Sequence, residues 1–281
     1  MVISGNARVA GVMGWPVTHS LSPRLHGHWL ELYGIDGAYV PLPVTPEKFS
    51  EALRALAAAG FVGANVTVPH KEAALAAMDD ATANARAIGA VNTIVVQKDG
   101  RLLGSNTDGL GFLANVRDFL PGWSARGKSI ALLGAGGAAK AIAWTLLAEG
   151  AARAHIINRT PDRAKALAAA LGPNALPVLW DHAAELALEE ADMLVNTTTL
   201  GMRGQPRLDI DLGPLAGDAI VADIVYTPLE TDLILRARSR GNPTVDGIGM
   251  LLHQARPGFA AWFGREPEVT PEVRAFVLAG Q

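Results

Sequence analysis

The 281-residue chain is 49% hydrophobic and 18% charged, with 24 basic against 27 acidic side chains and a formal net charge of -3. That composition supports one large or two modest cores and excludes a largely disordered chain. The dispersed charge leaves no basic footprint for nucleic acid or an anionic membrane. The absence of cysteine excludes disulfides, thiolate metal sites and thiol catalysis, and it fits a reducing compartment. Residues 1–14 lack a basic segment followed by a long apolar run, and no apolar stretch approaches the roughly 20 residues of a membrane span. The expectation is a cytoplasmic protein.

Short apolar runs alternate with helical stretches, the pattern of an α/β protein with mainly parallel sheets. In the first third, strands are predicted over 8–13, 38–42 and 62–68, with helices near 22–33 and 46–59. Ser22-Pro23 is a good helix start. Strands over 93–97 and 101–103 flank Lys98-Asp99-Gly100, a hairpin signal. Asn106-Thr107-Asp108-Gly109 then caps a helix reaching about residue 120. After the break at Pro121-Gly122-Trp123-Ser124 a second series follows: strands over 129–133, 154–157, 192–195 and 219–222, and helices over 137–149, 162–171 and 229–238. The segment 247–263 reads as helical, with Pro257 expected to kink or split it.

Gly134-Ala135-Gly136-Gly137-Ala138-Ala139 follows a strand and opens a helix, the context of a dinucleotide fingerprint. Gly134 permits the tight turn, Gly136 lets backbone approach a pyrophosphate, and Ala139 fills the third small position. Free N–H groups at the helix start face the phosphates. A glycine-rich turn alone also serves as a plain strand-to-helix connection; the flanking elements favour binding. The next strand ends in Asn158-Arg159-Thr160 with Arg163 one turn on, and no carboxylate stands at its tip. Two guanidinium groups and a hydroxyl suit a 2′-phosphate, so the cofactor expected is NADP. The alternative is that Thr160 caps the following helix and the arginines are merely solvated.

His19-Ser20-Leu21-Ser22-Pro23, Asn65-Val66-Thr67-Val68-Pro69-His70-Lys71, Gly89-Ala90-Val91-Asn92-Thr93 and Asn106-Thr107-Asp108-Gly109 resemble successive motifs of the shikimate dehydrogenases. The Gly134 turn, Asn158-Arg159-Thr160, the 196–202 segment and Asp246-Gly247-Ile248-Gly249-Met250 through Gln254 continue the resemblance in the same order, over about residues 10–260. Thr199 and Ile224 are small departures, standing where relatives often have serine and methionine.

The resemblance implies reversible NADPH-dependent reduction of 3-dehydroshikimate to shikimate. Hydride transfer to a ketone builds charge on oxygen, which a nearby group must protonate or stabilise. By resemblance Lys71 takes that part with Asp108 as its partner, and proton shuttle and hydrogen-bonding cation both stay open as its role. Ser20 and Ser22 would hold the substrate carboxylate with Tyr226 nearby, while Thr67, Asn92 and Gln254 would bind ring oxygens. Gly134, Ala135, Gly136, Gly137, Ala138, Asn158, Arg159, Thr160, Arg163, Ile224 and Gly247 would bind NADP. The seven histidines show no metal-ligand spacing, and no metal is expected. The implied architecture is a two-domain α/β protein with a cleft between its domains. Residues 1–107 and 243–281 form the substrate domain, and 108–242 the Rossmann-type NADP domain. The expected partner is the small-molecule substrate, with no nucleic acid or membrane, for a monomer or homodimer. A quinate/shikimate dehydrogenase using NAD, and a catalytically silent NADP-binding regulator, are the alternatives on the same fold.

Overall fold

A computed structural model describes residues 2–280. Residues up to Asp108 together with those from Leu251 onward form one compact unit, and Gly109–Met250 form another.

The first unit opens with β1 (Arg8–Gly14), α1 (Ser22–Leu32), β2 (Gly37–Pro43), a 3-10 turn (Pro46–Lys48) and α2 (Phe49–Ala58). There follow β3 (Phe61–Val66), α3 (Lys71–Ala77), β4 (Asp80–Ala81), α4 (Ala83–Ile88), β5 (Thr93–Val96) and β6 (Leu102–Ser105). Its sheet runs β2-β1-β3-β5-β6-β4. β1 pairs parallel to β2 and β3, and β4 pairs parallel to β6, but β5 is antiparallel to both β3 and β6. The sheet is therefore mixed, against the mainly parallel expectation. Between β5 and β6 the tight 97–100 turn, with Gly100 at φ 83°, cannot carry the chain across for a parallel return.

The second unit holds α5 (Asp108–Phe119), whose first residue belongs to the first unit, then β7 (Ser129–Leu133), α6 (Gly137–Ala148), β8 (Arg153–Asn158) and α7 (Pro161–Leu171). It continues through β9 (Ala175–Leu179), α8 (His182–Glu189), β10 (Met193–Asn196), β11 (Ile220–Asp223), α9 (Asp232–Ser239) and β12 (Thr244–Val245). The order β12-β11-β10-β7-β8-β9, parallel throughout, is the doubly wound arrangement whose direction reverses between β7 and β10. Strands buried on both faces need unbroken apolar runs, which Ile130-Ala131-Leu132-Leu133 and Met193-Leu194-Val195 supply. Residues 243–250, expected with the N-terminal domain, lie in this unit because Val245 pairs with Ala222 of β11.

The chain ends in α10 (Ile248–Phe263) and α11 (Pro271–Leu278). α10 is a single helix through Pro257, so the segment is not split there. Proline removes one backbone bond there, and burial of Leu252, Ala255, Phe259, Trp262 and Phe263 offsets that loss. Trp262 Nε1 donates to Ile94 O at 2.9 Å and lies against Gly63, where a Cβ would stand 2.1 Å from Nε1. Among the described residues, no helix is long and apolar enough to cross a membrane.

His26 of α1 is fully buried, stacked on Tyr39 at 3.9 Å between centroids and edge-on to Trp29, and neither ring nitrogen has a hydrogen-bond partner. Burial lowers its pKa from 6.5 to about 3. The folded protein thus keeps His26 neutral where the unfolded chain takes up a proton. Its contribution to stability is intact above pH 6.5 and is lost as pH falls toward 3. In urea unfolding, the stability gap between His26→Phe and the parent should widen by about 2 kcal/mol from about pH 7 to about pH 5. An unchanged gap would refute a neutral buried histidine.

Candidate active site

Lys71 is the first residue of α3, where the helix dipole disfavours a cation. Its Nζ lies 2.6 Å from Asp108 Oδ2, with side chains only 16% and 6% exposed. A buried charge pair survives only when its remaining hydrogen-bonding capacity is filled. Asn92 fills it: Nδ2 donates to Asp108 Oδ1 at 2.8 Å and to Thr107 Oγ1 at 3.0 Å. The Asn92 side-chain oxygen accepts from Thr107 N and Thr93 Oγ1, both at 2.9 Å. The Lys71 main chain is fixed as well, since its carbonyl accepts from Val91 N at 2.9 Å.

Thr107 Oγ1 donates to Gln254 O at 2.8 Å, and Gln254 Oε1 lies 3.4 Å from Asn92 Nδ2. Lys71, Asn92, Asp108 and Gln254, four of the residues expected at the site, therefore form one connected group within the first unit. Asn92, expected at the substrate ring, has both amide hydrogens and its side-chain oxygen engaged within the protein, and it is 2% exposed. One of these bonds holds Asp108 Oδ1 in place.

Ser20 and Ser22 stand at the entry of α1, where the Ser22 amide donates to Ser20 Oγ at 3.3 Å. Thr67 follows β3, its amide bound to Met13 O at 2.9 Å. Its methyl is held so close to Gly14 that a Cβ there would lie 2.4 Å away. Tyr226 belongs to the second unit, and burial raises its hydroxyl pKa, which keeps it a donor. Just upstream, burial pushes the Asp223 carboxyl up to about 6 against the pull of hydrogen bonds from Thr231, Val225 and Asn196.

The glycine turn sits where the second sheet reverses. Gly134 has φ 111°, and a Cβ there would meet Thr197 Oγ1 at 2.8 Å. Thr197 is fixed by donating to Leu133 O at 2.6 Å. Gly136, the N-cap of α6, differs: φ is -91° and a Cβ would meet nothing within 4 Å. No neighbour in the protein crowds this position, so the open space suits a ligand drawn close to backbone. Ala135, Gly137 and Ala138 complete the turn and the first residues of α6. At the tip of β8, Arg159 and Arg163 are exposed, and Asn158 Nδ2 donates to Thr160 O at 3.0 Å. Thr160 is the N-cap of α7, yet its side chain makes no cap bond. The capping explanation for this hydroxyl thus loses its support, and the donor set fits a phosphate. Gly247 is required by backbone contact, since a Cβ would lie 2.4 Å from Ile224 O.

Sequence reading passed over several supporting residues. Thr107 and Asn106 lay within a quoted motif without being singled out, and Asn106 Oδ1 accepts from Asp108 N at 3.1 Å. His70, by contrast, stood in a quoted motif beside Lys71, and it is bound through Nε2 to Val44 O at 2.7 Å and stacks on Phe49. Asn65 opened a quoted motif without being singled out, and Tyr39, joined to it at 2.6 Å, had no sequence signal beyond polarity at a buried strand position. Among the described residues no cluster of three His, Cys, Asp or Glu stands ready for a metal.

The doubly wound sheet with its glycine turn marks a dinucleotide-linked dehydrogenase as a class. Comparison with known proteins narrows it. The shikimate dehydrogenase substrate binding domain matches residues 12–94, and the shikimate / quinate 5-dehydrogenase family matches residues 118–201. An NADP(+) shikimate dehydrogenase of Rhodospirillum rubrum is 59% identical over 281 residues, covering 99% of each chain. The structure of shikimate 5-dehydrogenase from Thermus thermophilus in complex with NADP(H) and shikimate is 35% identical, with TM-score 0.85 over 97% of this chain and 99% of that one. Quinate dehydrogenase from Corynebacterium glutamicum in complex with NAD is 31% identical, with TM-score 0.88 over 97% and 99% of the two chains. The chain belongs to the shikimate dehydrogenase family.

The two glycines should separate folding from binding. Gly134→Ala, strained and crowded by Thr197, should lose about 1–3 kcal/mol of stability. Gly136→Ala should lose less than about 1 kcal/mol, the scale of a helix cap. Both should weaken dinucleotide binding, read by titration of protein fluorescence. Unimpaired binding by Gly136→Ala would remove the ligand explanation for that glycine.

Proposed function

We propose that this chain catalyses the reversible NADPH-dependent reduction of 3-dehydroshikimate to shikimate, in the cytoplasm and as a monomer or homodimer. The full-length match to NADP(+) shikimate dehydrogenases, at up to 59% identity, carries the reading. The Lys71–Asp108 pair supports it from the chemistry.

When bound, the dinucleotide supplies the hydride. Lys71 Nζ holds a proton at the carbonyl oxygen on which charge grows, and Asp108 Oδ2 fixes the direction of that ammonium group. Asn92 holds the carboxylate in turn. Ser20 and Ser22 take the substrate carboxylate with Tyr226 as a further donor, while Thr67, Asn92 and Gln254 bind ring oxygens. The backbone of Gly134, Ala135, Gly136, Gly137 and Ala138 accommodates the pyrophosphate. Ile224 and Gly247 border the nicotinamide.

Cofactor choice rests on β8. An NAD site places a carboxylate at this strand tip for the ribose hydroxyls, whereas this one presents Asn158, Arg159, Thr160 and Arg163. Guanidinium groups and an uncommitted hydroxyl suit the 2′-phosphate.

Lys71→Ala should lower kcat at least roughly 100-fold, the usual contribution of a general acid, with NADP affinity unchanged within about twofold. A folded variant with parental kcat would falsify this assignment. Arg159→Ala should weaken NADP roughly 10- to 150-fold, the loss of a charge-assisted bond, and leave NAD almost unaffected. Parallel losses for both cofactors would mean that Arg159 supports the loop without reading the phosphate.

A further inference from the structure

We propose that Tyr39 is a positioning residue for catalysis, holding Asn65 and, through it, the Asn92 side chain that orients Asp108 against Lys71. The inference rests on the functional reading of the Lys71–Asp108 pair.

All five residues belong to the first unit, and the four apart from Lys71 are at most 7% exposed. Tyr39 lies on β2 and Asn65 on β3, two strands separated by β1 in the sheet. The Tyr39 hydroxyl donates to Asn65 Oδ1 at 2.6 Å. Asn65 Nδ2 then donates to Asn92 O and to Thr93 Oγ1, each at 3.1 Å. Thr93 Oγ1 donates to Asn92 Oδ1 at 2.9 Å, and Asn92 Nδ2 to Asp108 Oδ1 at 2.8 Å.

The direction of each bond is forced. Asn65 Nδ2 faces a carbonyl and a hydroxyl, so a flipped amide would set oxygen against the Asn92 carbonyl. Oδ1 must then face Tyr39, and the phenol must donate. At its other side the phenol lies near Ser22, one of the residues assigned to the substrate carboxylate. Burial raises the Tyr39 hydroxyl far above its ordinary range, so it keeps its proton and stays a donor. The route therefore starts beside the carboxylate end of the proposed site and finishes on the reacting pair. A purely structural network has no reason to join those two places. Without the phenol, Asn65 Oδ1 is a buried acceptor with no donor, and the amide that fixes Asn92 is free to turn.

Tyr39→Phe removes only the hydroxyl and keeps the ring stacked on His26. Shikimate oxidation with NADP should show kcat lowered roughly tenfold, while KM for both substrates stays within about twofold. The Tyr39→Phe/Asn65→Ala double variant should be no slower than Asn65→Ala alone, because Tyr39 acts through Asn65. Asn65→Asp, which keeps the volume but loses the Nδ2 donor, takes its place in the cycle if Asn65→Ala does not fold. His26→Phe, on the face of the same ring, should alter acid stability and leave kcat unchanged. A Tyr39→Phe kcat within twofold of the parent, beside an inactive Lys71→Ala, overturns this inference alone, as do losses that multiply in the double variant. A Lys71→Ala enzyme with parental kcat overturns the functional reading and this inference with it.

Discussion

A carboxylate that is 4% exposed must have every lone pair answered, and Asp108 imposes that demand on the first unit. Its carboxylate partners come from distant segments, Lys71 from the start of α3 and Asn92 from the residue before β5, while its own amide donates to Asn106 Oδ1 in the turn after β6. The mixed sheet is what gathers them. β5 runs antiparallel to β3, so its beginning lies at the end of β3, with Thr93 opposite Asn65. β6 runs antiparallel to β5, so its end returns to the same edge, with Ser105 opposite Thr93. A parallel β5 would have started at the far edge of the sheet. The short hairpin around Gly100 is therefore a precondition for the charged pair, though it lies at the other end of both strands.

The second unit works under a different constraint, close approach of backbone. Gly134 and Gly247 are small because protein atoms crowd them, Thr197 in one case and the 224–225 backbone in the other. Gly136 is small with nothing beside it. In one fingerprint, then, the first glycine is crowded by the fold and the second has open space beside it. The 196–198 segment belongs to the same arrangement. Asn196 Oδ1 accepts from Thr198 N and Oγ1, and Thr197 is tied to Leu133, so the wall facing Gly134 is rigid on the β10 side.

Local signals read well from sequence: the 129–133 strand, the turn and helix that follow it, and the 97–101 hairpin each rest on residues within a few positions of one another. The Lys71–Asp108 pair is marked by family resemblance, since a lysine and an aspartate 37 positions apart announce nothing by spacing. Tyr39 was not legible at all, and Asn65 and Thr107 lay within quoted motifs with no sign of their role. Their importance depends on strand order and register, and a polar residue on a predicted strand gives no sign of which neighbour it will meet. α4, α8, β9 and α11 were missed for a plainer reason. Most are short, and Leu176, Leu179, Leu186 and Phe276 are exposed, which blurs the apolar periodicity that marks a buried face. Thr160 is the converse case, a residue whose sequence position suits a cap while its hydroxyl forms none.

Stability alone gives poor reason for such a network. A buried ion pair is often no better than apolar side chains of the same volume, because desolvation cancels much of the attraction. Here Lys71 also sits at a helix start, where its charge is disfavoured. A fold selected only for its core would fill these positions as it fills the neighbouring ones, with residues like Ala64, Val66 and Ile94. Instead it maintains two charges and four amide or hydroxyl side chains in fixed orientation, each satisfied by the next. Such an arrangement has its value when charge develops on a ligand oxygen. Donors already aligned then need no reorganisation, and a carboxylate already held in place keeps the ammonium group aimed. The hydrogen bonds behind Asp108 are best understood as part of the chemistry they support.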